Sequence, residues 1–189
     1  NLEGELTEMV NMANKTIRPL IEIYTSRFEY QNAKAVFRAI HNEVSVDEVG
    51  NSILPETNDV NTPWLKVVES CDDMKSAAAL MRRKSFGAAL AKVPENGTLA
   101  DYEDALDRHY YAASQRALIQ SKGAPARFLS RLFAAEIDHK NIVNILEANA
   151  VGIDNERLVS LLIPGGRLVP KRAFSTCLLY TSPSPRDTG

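Results

Sequence analysis

Apolar residues recur three and four positions apart along most of this chain, and that spacing limits its fold more than any other feature. The first segment shows it at seven positions: Leu6, Met9, Val10, Ala13, Ile17, Leu20 and Tyr24. Such spacing places the apolar residues on one face of an amphipathic helix. Pro19 interrupts the stripe, so we expect either a kink or the junction of two helices near Arg18. No segment alternates apolar and polar residues for long enough to predict a strand, and the predicted fold class is all-α.

The next part of the chain repeats this spacing between turn-forming segments. A second helix is predicted over residues 30–41, with three inward residues: Val36, Phe37 and Ile40. Ser45 and Glu48 have the spacing of a capping box, which predicts a short helix that ends before Pro55. Residues 56–63 are rich in turn formers, so we expect a polar connector there.

Helical spacing resumes at Trp64 and continues to about Ala91, and residues 93–98 then break it with a proline and an Asn-Gly pair. A cap at Thr98 and Asp101 is predicted to open a helix that reaches about Ser121 and carries on one face Tyr102, Leu106 and Tyr110. Gly123 should end that helix, and Pro125 suits the first turn of another, because its missing N–H has no helical partner there. The apolar stripe predicted for this last helix is Phe128, Leu129, Leu132 and Phe133.

Composition and charge exclude several classes of protein. The 189 residues are 44% hydrophobic and 24% charged with a formal net charge of −2, and this balance disfavours a nucleic-acid binder, which needs a strongly basic face. The apolar runs are shorter than the roughly 18 to 20 residues that span a bilayer, so no membrane span is expected. Cys71 and Cys177 are too few for a disulfide scaffold and indicate a reducing, cytoplasmic setting. The basic run at residues 82–84 is interpreted as a solvated face.

An internal repeat relates residues 28–55 to residues 137–164 without a gap, at an offset of 109. Three of the aligned pairs are identical: Asn32 with Asn141, Ala39 with Ala148, and Pro55 with Pro164. Apolar and acidic positions agree more widely, as in Glu29 with Asp138, Val36 with Ile145, Phe37 with Leu146, and Ile53 with Leu162. This pattern predicts a duplicated helical unit. Repeated helical domains commonly build surfaces for partner proteins.

The best candidate for chemistry is the sequence AAEIDHKN, which holds Glu136, Asp138, His139 and Asn141. A histidine near two carboxylates could bind a metal or act in acid–base catalysis. Neighbouring residues point to different sides of a helix, however, and no second histidine follows at ligand spacing. We therefore favour a structural interpretation, with Asp138 as a helix N-cap and Asn141 as a turn or capping residue.

Other candidate motifs also have simpler structural interpretations. The sequence IPGGRL, residues 163–168, lacks the glycine spacing and the Lys-Ser/Thr ending of a phosphate loop, and a helix stop with a turn is predicted instead. His41 and His109 have no partner at ligand spacing. In DALDRHYY, residues 104–111, Leu106 and Tyr110 are four apart, which favours core packing over a binding stripe. No catalytic residue, metal ligand or cofactor-binding residue is predicted, and no cofactor is expected.

Two of these segments resemble a known family. Residues 102–118 (YEDALDRHYYAASQRAL) and residues 134–169, with an Ile-Asp-x-x-Asn-Ile motif and a closing Ile-Pro-x-Gly, are similar to the C subunit of archaeal and bacterial A/V-type ATPases, whose counterpart in eukaryotic V-ATPase is the d subunit. Residues 30–38 and 85–93 also fit the family. Family members often have Arg where this chain has Glu147, whereas Arg38 keeps a basic residue in the first repeat, so a shared ionic contact is not carried over to Glu147.

The resemblance implies an architecture and a role. The family fold is a funnel of three similar helical-bundle domains. The family protein is a non-catalytic part of the central rotor, peripheral on the cytoplasmic side of the membrane. Its expected partners are the membrane-embedded proteolipid ring and the central shaft, between which it couples proton or sodium transport to ATP synthesis or hydrolysis. The alternative is a helical scaffold or partner-binding subunit of another assembly.

The resemblance also predicts the domain organisation. Residues 1–60 are expected to end the first repeat domain, and residues 61–174 to form the second with its linking helices. Family members are considerably longer, so the chain is expected to be a middle portion. Residues 175–189 depart from the family: CLLYTSPSPRD, residues 177–187, resembles the translation of a transposon-derived sequencing adapter. We expect this tail to be non-native and disordered.

Overall fold

The computed structural model describes residues 4, 5, 8, 17–50, 53 and 58–168. Within these residues every regular element is a helix, which confirms the predicted all-α class. The chain divides into two compact units, residues 1–121 and residues 122–189. The repeat-domain boundaries predicted near residues 60 and 174 stay a prediction, and the tail predicted at residues 175–189 lies outside the described residues.

The first unit contains seven described helices and one 3₁₀ turn. The helices are α1 (Arg18–Thr25), α2 (Arg27–His41), α3 (Val46–Val49), α4 (Asn58–Ser70), α5 (Met74–Leu80), α6 (Gly87–Leu90) and α7 (Leu99–Ile119), and the turn is Met81–Arg83. Pro19 lies in the first turn of α1, where a proline removes no helical hydrogen bond. Helix α1 begins at Arg18, and most of the stripe predicted before it lies outside the described residues, so the expected kink or junction stays a prediction.

Helix α2 is the centre of this unit and packs against α4, α5 and α7. Its apolar face is fully buried at Val36 and Phe37, as the spacing predicted, and also at Ala33, whereas Ile40, predicted to face inward, is only half-buried. Aromatic rings fill the space around it: the Phe37 and Tyr102 centroids are 4.7 Å apart. Ring contacts of this kind add about 0.5–1.5 kcal/mol to the free energy of area burial.

Two local predictions for this unit are wrong. Ser45 has the extended backbone of an N-cap, but its side chain makes no capping hydrogen bond, so the predicted capping box with Glu48 does not form on the single-turn helix α3. The predicted connector 56–63 is already helical from Asn58, with Pro63 inside α4. Packing of α4 on α2 outweighs the turn preference of these residues, because tertiary contacts routinely override local propensity. The box predicted at Thr98 and Asp101, by contrast, is present.

The second unit contains a long helix, α8 (Ala124–Val151), followed by a short one, α9 (Asn155–Leu161). Gly123 precedes α8 with φ of 98°, and Pro125 lies in its first turn as predicted. Leu129 and Phe133 are buried and Leu132 is half-buried, but Phe128 is 70% exposed, contrary to the prediction. Phe128 lies two residues from the buried Ala126, about half a helical turn away, on a face of α8 that no described element covers. No described helix combines the length and the apolar character needed to cross a bilayer.

Candidate functional site

Three polar side chains spaced three residues apart on α8 bind the backbone at the end of α9 and just after it. Asn141 makes two hydrogen bonds to one residue: its Nδ2 donates to the Ile163 carbonyl at 2.9 Å, and its Oδ1 accepts from the Ile163 amide at 2.8 Å. Asn144 Nδ2 donates to the Leu161 carbonyl at 3.3 Å. We call Asp138, Asn141 and Asn144 the backbone-binding face of α8. A primary amide suits this role because it donates and accepts at once.

Asp138 binds the glycine turn at residues 163–168. Its Oδ2 accepts hydrogen bonds from the amides of Arg167 and Leu168, each at 2.9 Å, and the side chain is buried. Successive amides that point at one carboxylate form the kind of nest that elsewhere binds phosphate. Here the anion is the protein's own Asp138. The phosphate-loop hypothesis therefore fails, because these two amides already have an acceptor.

Both glycines of this turn are required by geometry. Gly165 has φ of 109°, a backbone conformation that other residues rarely adopt. At Gly166, a Cβ atom would lie 2.1 Å from Asp138 Oδ1, which is far inside van der Waals contact. The paired glycines thus let the chain turn and let it approach the carboxylate. A turn was predicted here, and the close approach to Asp138 was not.

The AAEIDHKN segment does not assemble a reaction centre. Asp138 and Asn141 are buried against the backbone that follows α9, whereas His139 is exposed and Glu136 is half-buried. The prediction of Asp138 as an N-cap is wrong, because α8 begins at Ala124 and continues through this segment. Asn141 binds the backbone of Ile163, one residue beyond the C-cap of α9, rather than capping its own helix. Among the residues that the structure describes, no group of three or more His, Cys, Asp or Glu side chains could hold a metal ion.

The other histidine candidates have different surroundings. His109 Nδ1 lies 2.9 Å from the Tyr30 hydroxyl, within the first unit. Burial lowers the pKa of His109, and the charge of Arg116 lowers it further. The lowered pKa favours the neutral ring near neutral pH, and the ring is half-buried beside the Tyr30 hydroxyl. His41 is exposed, and Leu106 and Tyr110 are core residues, as predicted.

Sequence reasoning selected Asp138 and Asn141 but missed Asn144 and missed the segment to which all three bind. The available signal was the spacing, because Asp, Asn and Asn at i, i+3 and i+6 share one helix face. The backbone groups that they bind lie 17 to 30 residues later, around the Pro-Gly-Gly turn. Such polar residues inside a helix need backbone partners from outside it. The two family motifs, Ile-Asp-x-x-Asn-Ile and Ile-Pro-x-Gly, are thus the two sides of one contact.

Comparison with known proteins decides the family. The family model of the ATP synthase (C/AC39) subunit matches residues 1–177. This chain belongs to that family. The match includes both repeats and the backbone-binding face, so the resemblance seen in the motifs is confirmed.

The curated relatives have low sequence identity to this chain, but they align with most of its length. The A-type ATP synthase C subunit of Methanococcoides burtonii is 22% identical over 166 residues, which are 88% of this chain and 46% of the relative. The proteins of the same name from Haloquadratum walsbyi and Pyrococcus horikoshii are each 26% identical, over 93% and 85% of this chain and 51% and 42% of their own lengths. The chain thus spans about half the length of the curated relatives it matches. No solved structure shows a significant match.

Proposed function

We propose that this chain is part of the central-stalk adaptor of an A-type ATP synthase, a non-catalytic subunit that joins the membrane-embedded proteolipid ring to the central shaft. The observation that carries the proposal is the family match over residues 1–177, supported by relatives named as C subunits of A-type ATP synthases. In this role the protein is peripheral, lies on the cytoplasmic side of the membrane and belongs to a three-domain funnel. It carries torque between ion flow, of protons or sodium, and ATP turnover.

An adaptor that transmits torque needs helices that do not slide past one another. Five hydrogen bonds that involve Asp138, Asn141 and Asn144 fix α8 to the backbone at the end of α9 and just after it. Polar networks whose members are all bonded stiffen a core and specify one arrangement. In the first unit, aromatic packing around α2 has the same effect. These features support a mechanical role for each unit.

The positions of the polar residues also favour a structural role over catalysis. A general acid or base must reach a substrate proton within hydrogen-bond distance. Asp138 and Asn141 are buried, and their oxygens accept backbone amides. His139 is exposed on another side of α8, and no carboxylate is bonded to it among the described contacts. Two of the residues that first indicated chemistry, Asp138 and Asn141, thus hold the helical unit together.

The test uses the full-length protein in cells that lack their own copy of this adaptor. We expect the wild-type protein, carrying an affinity tag, to bring down the proteolipid ring and shaft proteins from detergent-solubilised membranes. We also expect it to restore ion-driven ATP synthesis in membrane vesicles. In the deletion strain, the detached head should still hydrolyse ATP, because a coupling adaptor is needed for transmission and not for the reaction itself.

Two results would overturn the proposal. One is a tagged protein that recovers neither ring nor shaft but a different set of proteins, which would favour a scaffold of another assembly. The other is a His139→Ala variant that assembles normally yet loses ATP turnover, which would favour an enzymatic role. We expect a His139→Ala variant that assembles normally to support synthesis at the wild-type rate.

A further inference from the structure

A row of exposed residues on α8 has the spacing of a helix-packing seam. Phe128, Ile142 and Leu146 are 70%, 45% and 63% exposed, and Ala135 and His139 on the same face are also exposed. We call these five residues the outer seam. Their steps of seven, four, three and four residues match the heptad spacing by which two helices pack along each other. The outer seam faces away from the backbone-binding face of α8.

The internal repeat supplies a covered counterpart of this seam in the first unit. At the offset of 109, Ile142 and Leu146 correspond to Ala33 and Phe37 of α2, and both of these are fully buried. His139 corresponds to Tyr30, which is also buried. The element that covers this face of α2 is α7. Equivalent backbone positions are therefore covered by a helix in one repeat and exposed in the other.

The contacts between α2 and α7 define what a covering helix must offer. Tyr102 of α7 stacks on Phe37, and its Leu106 is fully buried. At the other end of the contact, the rings of Tyr110 and Tyr30 are 5.2 Å apart. Residue numbers rise along α7 as they fall along α2, so the two helices are antiparallel.

The charges beside this contact differ between the two repeats. Beside Phe37, Arg38 pairs with Glu103 and Lys34 pairs with Asp107 of α7, each at 2.5 Å. The corresponding residues beside the outer seam are Glu147 and Val143. A copy of α7 would place one carboxylate against Glu147 and another against an apolar side chain. Both placements are unfavourable, through like-charge repulsion and through an unpaired charge at an interface.

We propose that the outer seam binds an antiparallel amphipathic helix that packs on α8 as α7 packs on α2. This helix carries aromatic or leucine residues along its seam, a basic residue where α7 has Glu103, and an apolar residue where α7 has Asp107. It is supplied by the full-length protein itself: the relatives contain about as much sequence outside the matched span as within it. The inference stands apart from the proposed function and would hold for any helical-repeat protein with these residues.

Peptide binding to the 189-residue chain tests the chemistry of the occupant. Two fluorescent peptides are compared by anisotropy: the α7 sequence, residues 99–119, and the same sequence with Glu103→Lys and Asp107→Leu. We expect the substituted peptide to bind at least about tenfold more tightly, a difference of about 1.4 kcal/mol. A Glu147→Arg variant of the chain should reduce or reverse that preference.

Matched variants place the binding on the seam. Leu146→Asp should weaken binding of the substituted peptide at least about tenfold without changing the helical circular dichroism, because Leu146 makes little contact with the core. Ile119→Asp is the control, since Ile119 is an exposed apolar residue of the first unit, 82% exposed. It should leave binding unchanged. Equal affinity for the two peptides, or no binding of either, would overturn the proposal.

A second arm tests the source of the helix. In the full-length protein, the thiol of a Leu146→Cys variant should react with a maleimide at least about tenfold more slowly than in the 189-residue chain, because the covering helix protects it. Equal reactivity would show that no helix of the protein covers the seam. A concentration-dependent dimer of the chain that Leu146→Asp abolishes would also overturn the proposal, since the seam would then be an interface between copies.

Discussion

Residues 39–49 of the first unit and residues 148–158 of the second follow the same backbone course. In each, a helix ends with a residue in the left-handed region, Glu43 with φ of 54° and Gly152 with φ of 70°. The next amide then reaches back to the carbonyl five residues earlier, at 2.9 Å in both: Val44 to Ala39 and Ile153 to Ala148. This is the 6→1 hydrogen bond of a Schellman ending. A short helix with an extended N-cap residue follows in both units.

The side chains around this shared backbone differ according to the face on which they lie. Asn32 and Asn141 are both buried, and so are Ile53 and Leu162. On the other face, Phe37 is fully buried while its counterpart Leu146 is 63% exposed. The inner face of each repeat is therefore set within the repeat, by the turn and the following short helix. The outer face depends on another helix, which only the first repeat has among the described residues.

The largest expected contrast lies on this outer face. Phe37→Ala should destabilise the first unit by about 3–5 kcal/mol, because it removes a fully buried ring. Leu146→Ala should change the stability of the second unit by no more than about 0.5 kcal/mol in the 189-residue chain. Urea unfolding followed by Trp64 fluorescence reports the first unit, and helical circular dichroism follows the whole chain. Similar losses for the two variants would mean that the outer faces are equally covered.

The inner face should give the next largest effect. Asn141→Ala removes two hydrogen bonds and leaves the amide and carbonyl of Ile163 buried without that partner, at a cost of about 2–4 kcal/mol. Hydrogen exchange at the Ile163 amide measures the loss of protection directly. Asn144→Ala is the control, because it removes a single part-buried bond of 3.3 Å and should cost less than about 1 kcal/mol. Unchanged exchange at Ile163 in Asn141→Ala would contradict the assigned geometry.

The parts of this fold that could be predicted from sequence are those decided by neighbouring residues. Helical spacing predicted the buried face of α2, and the turn signals predicted the cap at Thr98 and the start of α8 after Gly123. The spacing could not show that Phe128 is exposed, because an apolar residue is buried only where another element covers it. The spacing of Asp138, Asn141 and Asn144 indicates a polar face that needs backbone partners, but it does not identify the amides that Asp138 binds. Those two amides lie 29 and 30 residues later in the chain, beyond the reach of any local pattern.

The smallest expected contrast concerns the left-handed residue that the two repeats share. Gly152→Ala should destabilise the second unit by about 1–2 kcal/mol through backbone strain alone, since no atom lies within 4 Å of the added Cβ position. Glu43→Gly should stabilise the first unit by about 0.5–1 kcal/mol, because glycine relieves the strain at φ of 54°. The gain is small because glycine also raises the conformational entropy of the unfolded chain, which offsets part of it. Urea unfolding of the two single variants measures both changes. Effects of the same sign would show that the two turns are not equivalent, because one backbone conformation must favour glycine in both repeats.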